Sequence, residues 1–547
     1  MSNQLQQSSW GHRLGWCLSV LGLAGALSLS AQSYQASYSL DQAPVEVGKV
    51  GKGSFTLNGE ELLMIGTSGS SANGAVTSVP VLTLSPDGSI ISQFELQAPG
   101  SRSGGQLEGA AISDNGEGEY FLGLNLVSSG RSGGIVAQVN HEGKARWSSA
   151  WEGSGVTDLA FHPRTGAVLA VGNGVDRMGR EDLRMGMFDS EGKMISSNSV
   201  ETDGADGAVA VVPLQDDAGY LVAGYRQLRT MEPMLFYVNE NGQPEWSYTF
   251  LLDRPVASVG GLAYDAERGI VALAGSALTD NRDTTTFVLI ANLDGEVTSV
   301  FYYDLPGHIH SFGNSIVAAG EYDDRPGFLV AGSMKPSGTR DKSQSLLFHL
   351  GFEGELNWIR TYGPRDLEGL VNDGFTHVTF NQKTGEYAAL GYEYASSRGQ
   401  GSEFRLKAVK AYPREGLAGE NAGFCADEVE VLPQKGEGEV RLLGAMSSFQ
   451  EEGSQVALNL ERSAWGVNYC SYPLRTRTTT EVVEAAALDQ AHRARVYDLQ
   501  GRLLHQATVA AGEELVLPSF LPRGVYIVQK VVNGQVVGTE KRMQVQP

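Results

Sequence analysis

An apolar run closing on glycine recurs through most of this 547-residue chain: LLMIG at Gly66, YFLG at Gly123, LAVG at Gly172, LVAG at Gly224, ALAG at Gly275, LVAG at Gly332, AALG at Gly391 and RLLG at Gly444. A second marker follows each one. It is an apolar run ending in a polar turn: SPDG, NHEG, DSEG, NENG, NLDG, GFEG, PREG and, less clearly, SAWG. Two markers in step through eight units imply one supersecondary unit repeated eight times.

Each unit contains about four short alternating stretches. In the third they are TDLAFHP, AVLAVG, LRMGMFD and KMISSNSV. The D/N-x-x-G tetrapeptide supplies a tight turn in which glycine takes positive φ. The glycine of the second stretch suits a bulge or a close approach between sheets. A lone four-stranded sheet cannot bury both faces, whereas radial stacking covers each face with the next sheet. The repeat therefore predicts an all-β chain folded as a β-propeller, eight-bladed in preference to seven, over residues 54–470. The segment 32–53 contains VEVGKVGKG, a candidate ring-closing strand. Packed sandwiches and an open solenoid are the alternatives, but a sandwich does not need eight matched units and the period is long for a parallel β-helix coil. Trp147, Trp246 and Trp358 stand four residues beyond turn glycines and are expected at the seams between sheets; Ser92, Ser196 and Ser299 alternate with them.

The formal charge is −22, a field that a phosphate backbone repels, so nucleic acid is excluded as a natural partner. Residues 1–31 read as a secretory signal: a polar start with Arg13, then LGWCLSVLGLAGALSLSA ending in small residues, with cleavage expected near Ala31–Gln32. No other segment is long and apolar enough to span a membrane. Cys17 leaves with that signal. Cys425 and Cys470 remain in a setting that permits a disulfide, and whether they pair is left open.

GYLVAGYRQLRTMEPMLFYVNENGQPEW resembles repeats of secreted bacterial propellers, a likeness of architecture rather than activity. Neither the Trp-Asp of WD repeats nor the S-x-D-x-G-x-T-W box of sialidases occurs, and the vicinal cysteines of quinoprotein dehydrogenases are missing. After a Thr-rich linker at 471–482, residues 483–547 carry VYDLQGRLL, LPRGVYIV and KRMQV. This set resembles the C-terminal sorting domain of the type IX secretion system of Bacteroidota, with Gly501, Gly524, Lys541 and Val545 at matching positions. The resemblance implies a small Ig-like β-sandwich, passage through the periplasm, the type IX machinery as a partner, and delivery to the cell surface or medium.

Propellers bind ligands where inner strands and loops converge on the axis. The stretches VTDLAFHP, HIHSFGNS, LVNDGFTHV and CADEVEV read as first strands. They offer Asp158, His308, His310, Asn314, Asn372 and Asp373 as candidate ligand-binding residues; His162 and His377 read as structural. His308 and His310 have a spacing compatible with metal ligation but no third ligand nearby. Acidic loops at 113–119 and 279–283 offer oxygen to Ca²⁺ without EF-hand spacing, so no cofactor is expected. GRSGG around Ser132 lacks the following helix that a nucleophile elbow needs. The expected function is non-enzymatic binding of an extracellular glycan, protein or matrix; a polymer-acting enzyme with carboxylates meeting in space is the alternative.

Overall fold

A computed structural model of the chain describes residues 34–469, apart from 41–46, 70–77, 99–105, 321–325, 337–342, 364–369, 412–425, 444–446, 449–453 and shorter stretches. Of the C-terminal part it describes 492–497, 503–509, 524–532 and 535–544. Every regular element among the described residues is a β-strand.

Seven antiparallel units follow one another along the chain. Their inner strands are Val47–Phe55, Gln106–Asp114, Ser154–Phe161, Ala205–Pro213, Val256–Asp265, Ile309–Ala319 and Leu370–Phe380. Each inner strand contacts the next in order, and the seventh returns to the first, so the sheets form a closed ring. A single bridge, Met231 to Val256, links the third strand of the fourth sheet to the inner strand of the fifth. Seven apolar clusters fill the seven seams. Each sheet hides the flank of its neighbour, the arrangement that four short strands cannot reach alone. The face where inner strands begin is called the front here, and the opposite one the back.

The recurrent glycines have two separate causes. Every inner strand carries a β-bulge, and the second-strand glycine lies at it: Gly172 opposes Val156 and Gly224 opposes Ala208. A Cβ on Gly172 would lie 1.6 Å from the Gly155 carbonyl oxygen. The turn glycines Gly88, Gly143, Gly192, Gly242, Gly295 and Gly354 all have positive φ. They also form the seams, since a Cβ on Gly192 would strike the Trp147 ring. Trp147 donates its indole N–H to the Ser190 carbonyl, and Trp358 lies 6.5 Å from Tyr387 of the next sheet. Trp246 stacks on Tyr237 of its own sheet and packs against the cluster between the fourth and fifth sheets. Ser92 and Ser196 donate to the carbonyls of His141 and Gly242 in the following turns.

Two expectations are corrected. The eighth unit is not a sheet. Residues 426–469 run around the outside of the ring and add one short outer strand to each of the seven sheets, in the order sixth, fifth, fourth, third, second, first, seventh. Consequently CADEVEV is not an inner strand, and Gly466 lies in a strand of this belt. Second, 45–53 does not close the ring. Val47–Phe55 is the inner strand of the first sheet, and Tyr34–Leu40 closes the seventh by pairing with Gly401–Ala411. The ring therefore begins at Tyr34, not at residue 54. The described C-terminal strands form one four-stranded sheet, ordered Leu503–Val509, His492–Tyr497, Gly524–Val532, Gln535–Gln544. The last two pair as a hairpin with Val532 opposite Gln535 and Gly524 opposite Gln544; Lys541 stands opposite Ile527. Residues 1–31, the linker, Gly501 and Val545 lie outside the described residues.

Candidate functional site

All seven inner strands line one axial cavity of about 230 Å³ in their back halves, from the bulges onward. Its wall is mostly apolar, with Ile112, Leu159, Phe161, Leu262 and Ile316. Lys52, Asp158, Ser315 and His377 supply the charged or polar groups of interest.

Lys52 sits in the bulge of the first sheet and reaches across the axis. Its Nζ lies 2.8 Å from Asp158 Oδ2 of the third sheet and donates to the Val209 carbonyl of the fourth at 3.1 Å. Asp158 Oδ2 also accepts the Val211 N–H at 2.8 Å. The ammonium thus spans the channel as a strut joining three sheets. His377 Nδ1 lies 3.2 Å from Ser315 Oγ, which accepts the Val378 N–H. Burial, and secondarily the Lys52 charge, push the His377 pKa down to about 3, so its imidazole is neutral at ordinary pH. Asp158 is the single carboxylate in the cavity wall. A volume of this size holds roughly eight waters at about 30 Å³ each.

The other candidates do not converge on this cavity. His310 Nδ1 accepts the Thr284 N–H at 3.0 Å, and its Nε2 lies 3.6 Å from Asp283. Asn314 donates to the Phe375 carbonyl at 2.8 Å, and Asn372 Oδ1 accepts the Ser343 N–H at 3.1 Å. Asp373 accepts both the N–H and the hydroxyl of Ser345 and faces Lys407 at 3.7 Å; burial raises its pKa. Each of these residues ties an inner strand to the neighbouring sheet. His162 is structural as expected, with Nε2 3.0 Å from the Leu214 carbonyl. Ser132 lies in the strand Arg131–Asn140. No group of three or more metal-ligating side chains occurs among the described residues. His308, Cys425 and Cys470 are outside them. The described neighbours of the two cysteines, Ala426 and Tyr469, pair on different sheets, at the front and back ends respectively.

The front face shows something the sequence did not. Val127, Val175, Met178 and Leu228 are exposed, Met178 at 77%, all on hairpins joining the second and third strands of three consecutive sheets. Two hydrogen bonds brace the Met178 turn: Asp176 Oδ1 accepts the N–H groups of Met178 at 2.7 Å and Arg180 at 2.8 Å. The Arg180 N–H is the main reason the Asp176 carboxyl is held below its usual range. Arg180 also donates to the Asp203 carbonyl at 3.0 Å, anchoring the hairpin to the loop before the fourth sheet.

No protein-family model matches the chain, and no curated protein matches it. Among solved structures it is similar to a subtype N11 neuraminidase-like protein of A/flat-faced bat/Peru/033/2010 (H18N11). The identity is 10%, over 68% of this chain and 89% of that one, with a TM-score of 0.32. The ring rests on the sheet topology, not on that likeness.

Proposed function

We propose that this protein is an exported scaffold that binds an extracellular protein through the front face of its second, third and fourth sheets. The observation that carries the reading is the run of exposed Val127, Val175, Met178 and Leu228 on adjacent hairpins, one of them fixed by the Asp176 turn. Exposed apolar side chains gathered on one face are candidates for an interaction surface. A turn ordered before binding reduces the entropy lost on association. The axial groups favour this over polymer hydrolysis, because Asp158 is committed to Lys52 and the cavity wall has no second carboxylate to pair with it.

The test is an array of extracellular proteins and glycans probed with the chain from residue 32 onward. Saturable binding to a protein, weakened at least about tenfold by Met178→Asp with Leu228→Asp, is the expected result. Undiminished binding by that double variant, or binding confined to glycans, refutes the assignment of the face. Delivery by residues 483–547 is the second part of the proposal, supported by the motif set of the tail. A periplasmic reporter carrying this tail should reach the surface of a cell with type IX machinery; retention in the periplasm contradicts it.

A further inference from the structure

The belt contains seven strands: Ala426–Glu428, Leu432–Gly436, Gly438–Leu442, Ser447–Ser448, Ser454–Gln455, Asn459–Glu461 and Trp465–Tyr469. None exceeds five residues, so none would hold a sheet edge alone. Each pairs antiparallel with the outermost strand of a different sheet. The described belt residues also pack on five of the seven seams. Val429 and Val431 pack on the cluster between fifth and sixth sheets, Val440 on that between fourth and fifth, and Leu443 on that between third and fourth. Val456 and Leu458 reach the first seam, and Val467 the closing one.

We infer that residues 426–469 are a cooperative clasp, which engages the assembled ring last and releases as a unit. Two arguments carry this. First, the seats of the belt's apolar side chains do not exist until the sheets stand side by side, since each lies on a cluster shared by two sheets. Second, each bound strand holds the next within reach of its edge, so effective concentration, not individual affinity, drives closure. The final strand pairs with Tyr34–Leu40, which is itself the closing strand, so the last belt contact covers the last ring contact. The clasp also protects seven edges that would otherwise be templates for association.

The experiment uses the full chain with a site-specific protease sequence placed between residues 412 and 425, so that the belt can be cut from the ring while staying bound. Hydrogen exchange is followed in rising urea, below the unfolding of the inner strands. The outer strands Ile90–Gln97, Ala145–Glu152, Met194–Ser199, Pro244–Leu252, Val297–Asp304, Leu356–Tyr362 and Tyr34–Leu40 should lose protection together. Their exchange should rise at least about tenfold at one urea concentration, lower in the cut chain than in the intact one. Loss of protection sheet by sheet, or outer strands indifferent to departure of the belt, overturns the inference. If the inserted site prevents folding, Val440→Ser with Val467→Ser in the uncut chain serves instead. A cooperative clasp predicts faster exchange at the second and third sheets, which neither side chain touches. Changes confined to the altered seams count against it.

Discussion

At the residue scale, the Lys52 strut is the interaction most exposed to test. Asp158 is nearly buried and takes its compensation from one ammonium and one backbone N–H. Lys52→Met strands that carboxylate, and should lower stability by about 3 kcal/mol, typical of removing one member of a buried pair. Lys52→Met combined with Asp158→Asn should recover most of the loss, because the strength of a buried pair lies largely in the charge left behind. Urea unfolding of the three variants checks this; additive losses would contradict the strut. Asp206 gives a pH-dependent counterpart. Burial, with Asp182 nearby, raises its pKa to about 6, although Thr202 hydroxyl donation and the Arg226 and Arg180 charges oppose the shift. An unfolded aspartate titrates near about 4. Between those values the native chain holds a proton that the unfolded chain has lost, so stability falls as pH rises through the window and the penalty is complete above it. Asp206→Asn should therefore raise Tm most at pH 7.5 and hardly at all near pH 4. Thermal melts of both proteins across that range decide it, and a gap that widens on acidification refutes the shift.

At the element scale, the sequence and the structure agree where one local cause acts and part company where a partner is remote. The D/N-x-x-G turns are legible because everything they need is within five residues: Asn140, Asp189 and Asn239 accept the N–H groups two and four positions on. The second-strand glycine is legible too, as the mark of a bulge. The belt is not, for it imitates a repeat unit while obeying different constraints. Its strands Leu432–Gly436 and Gly438–Leu442 are largely exposed, whereas true second and third strands are buried almost throughout. LPQKGEGEVRL has no apolar run long enough to be covered on both faces, and that contrast was the available signal. The candidate site was legible by half. Asp158, read on an inner strand, lines the axial cavity, while its partner Lys52 was read as part of an N-terminal segment. Its acceptor at Val209 lies 157 residues away, and no local pattern announces such a partner. Asn372 and Asp373 looked like ligands because polar residues at the front ends of inner strands also serve as ties between sheets.

At the scale of the whole molecule, the seventh sheet is where a linear chain becomes a ring, and it is assembled from three separate segments: 370–411, Tyr34–Leu40 and Trp465–Tyr469. Two buried lysines on its third strand fasten it on either side. Lys407 donates to the Tyr362 carbonyl at 2.7 Å and to Ser345 Oγ at 3.1 Å in the sixth sheet. Lys410 lies 3.2 Å from Glu386 and donates to the Pro86 carbonyl of the first sheet at 3.4 Å. Between that strand and the belt lies Tyr34–Leu40, whose Tyr34, Ala36 and Tyr38 belong to the closing apolar cluster. Tyr38 also donates to the Gly88 carbonyl at 2.9 Å. A chain starting at residue 42 lacks this strand and leaves two unpaired edges on either side of an opened seam. Edges of that kind recruit other chains, so the truncated protein should form concentration-dependent oligomers in analytical ultracentrifugation and melt at lower temperature than a chain starting at residue 32. A peptide of residues 34–40 added in excess should restore the monomer and raise Tm with peptide concentration, as mass action requires of a ligand bound only by the native state. Should the truncated chain stay monomeric with an unchanged Tm, closure would have to reside in the lysine bolts and the belt, and Tyr34–Leu40 would be a cover instead of a keystone.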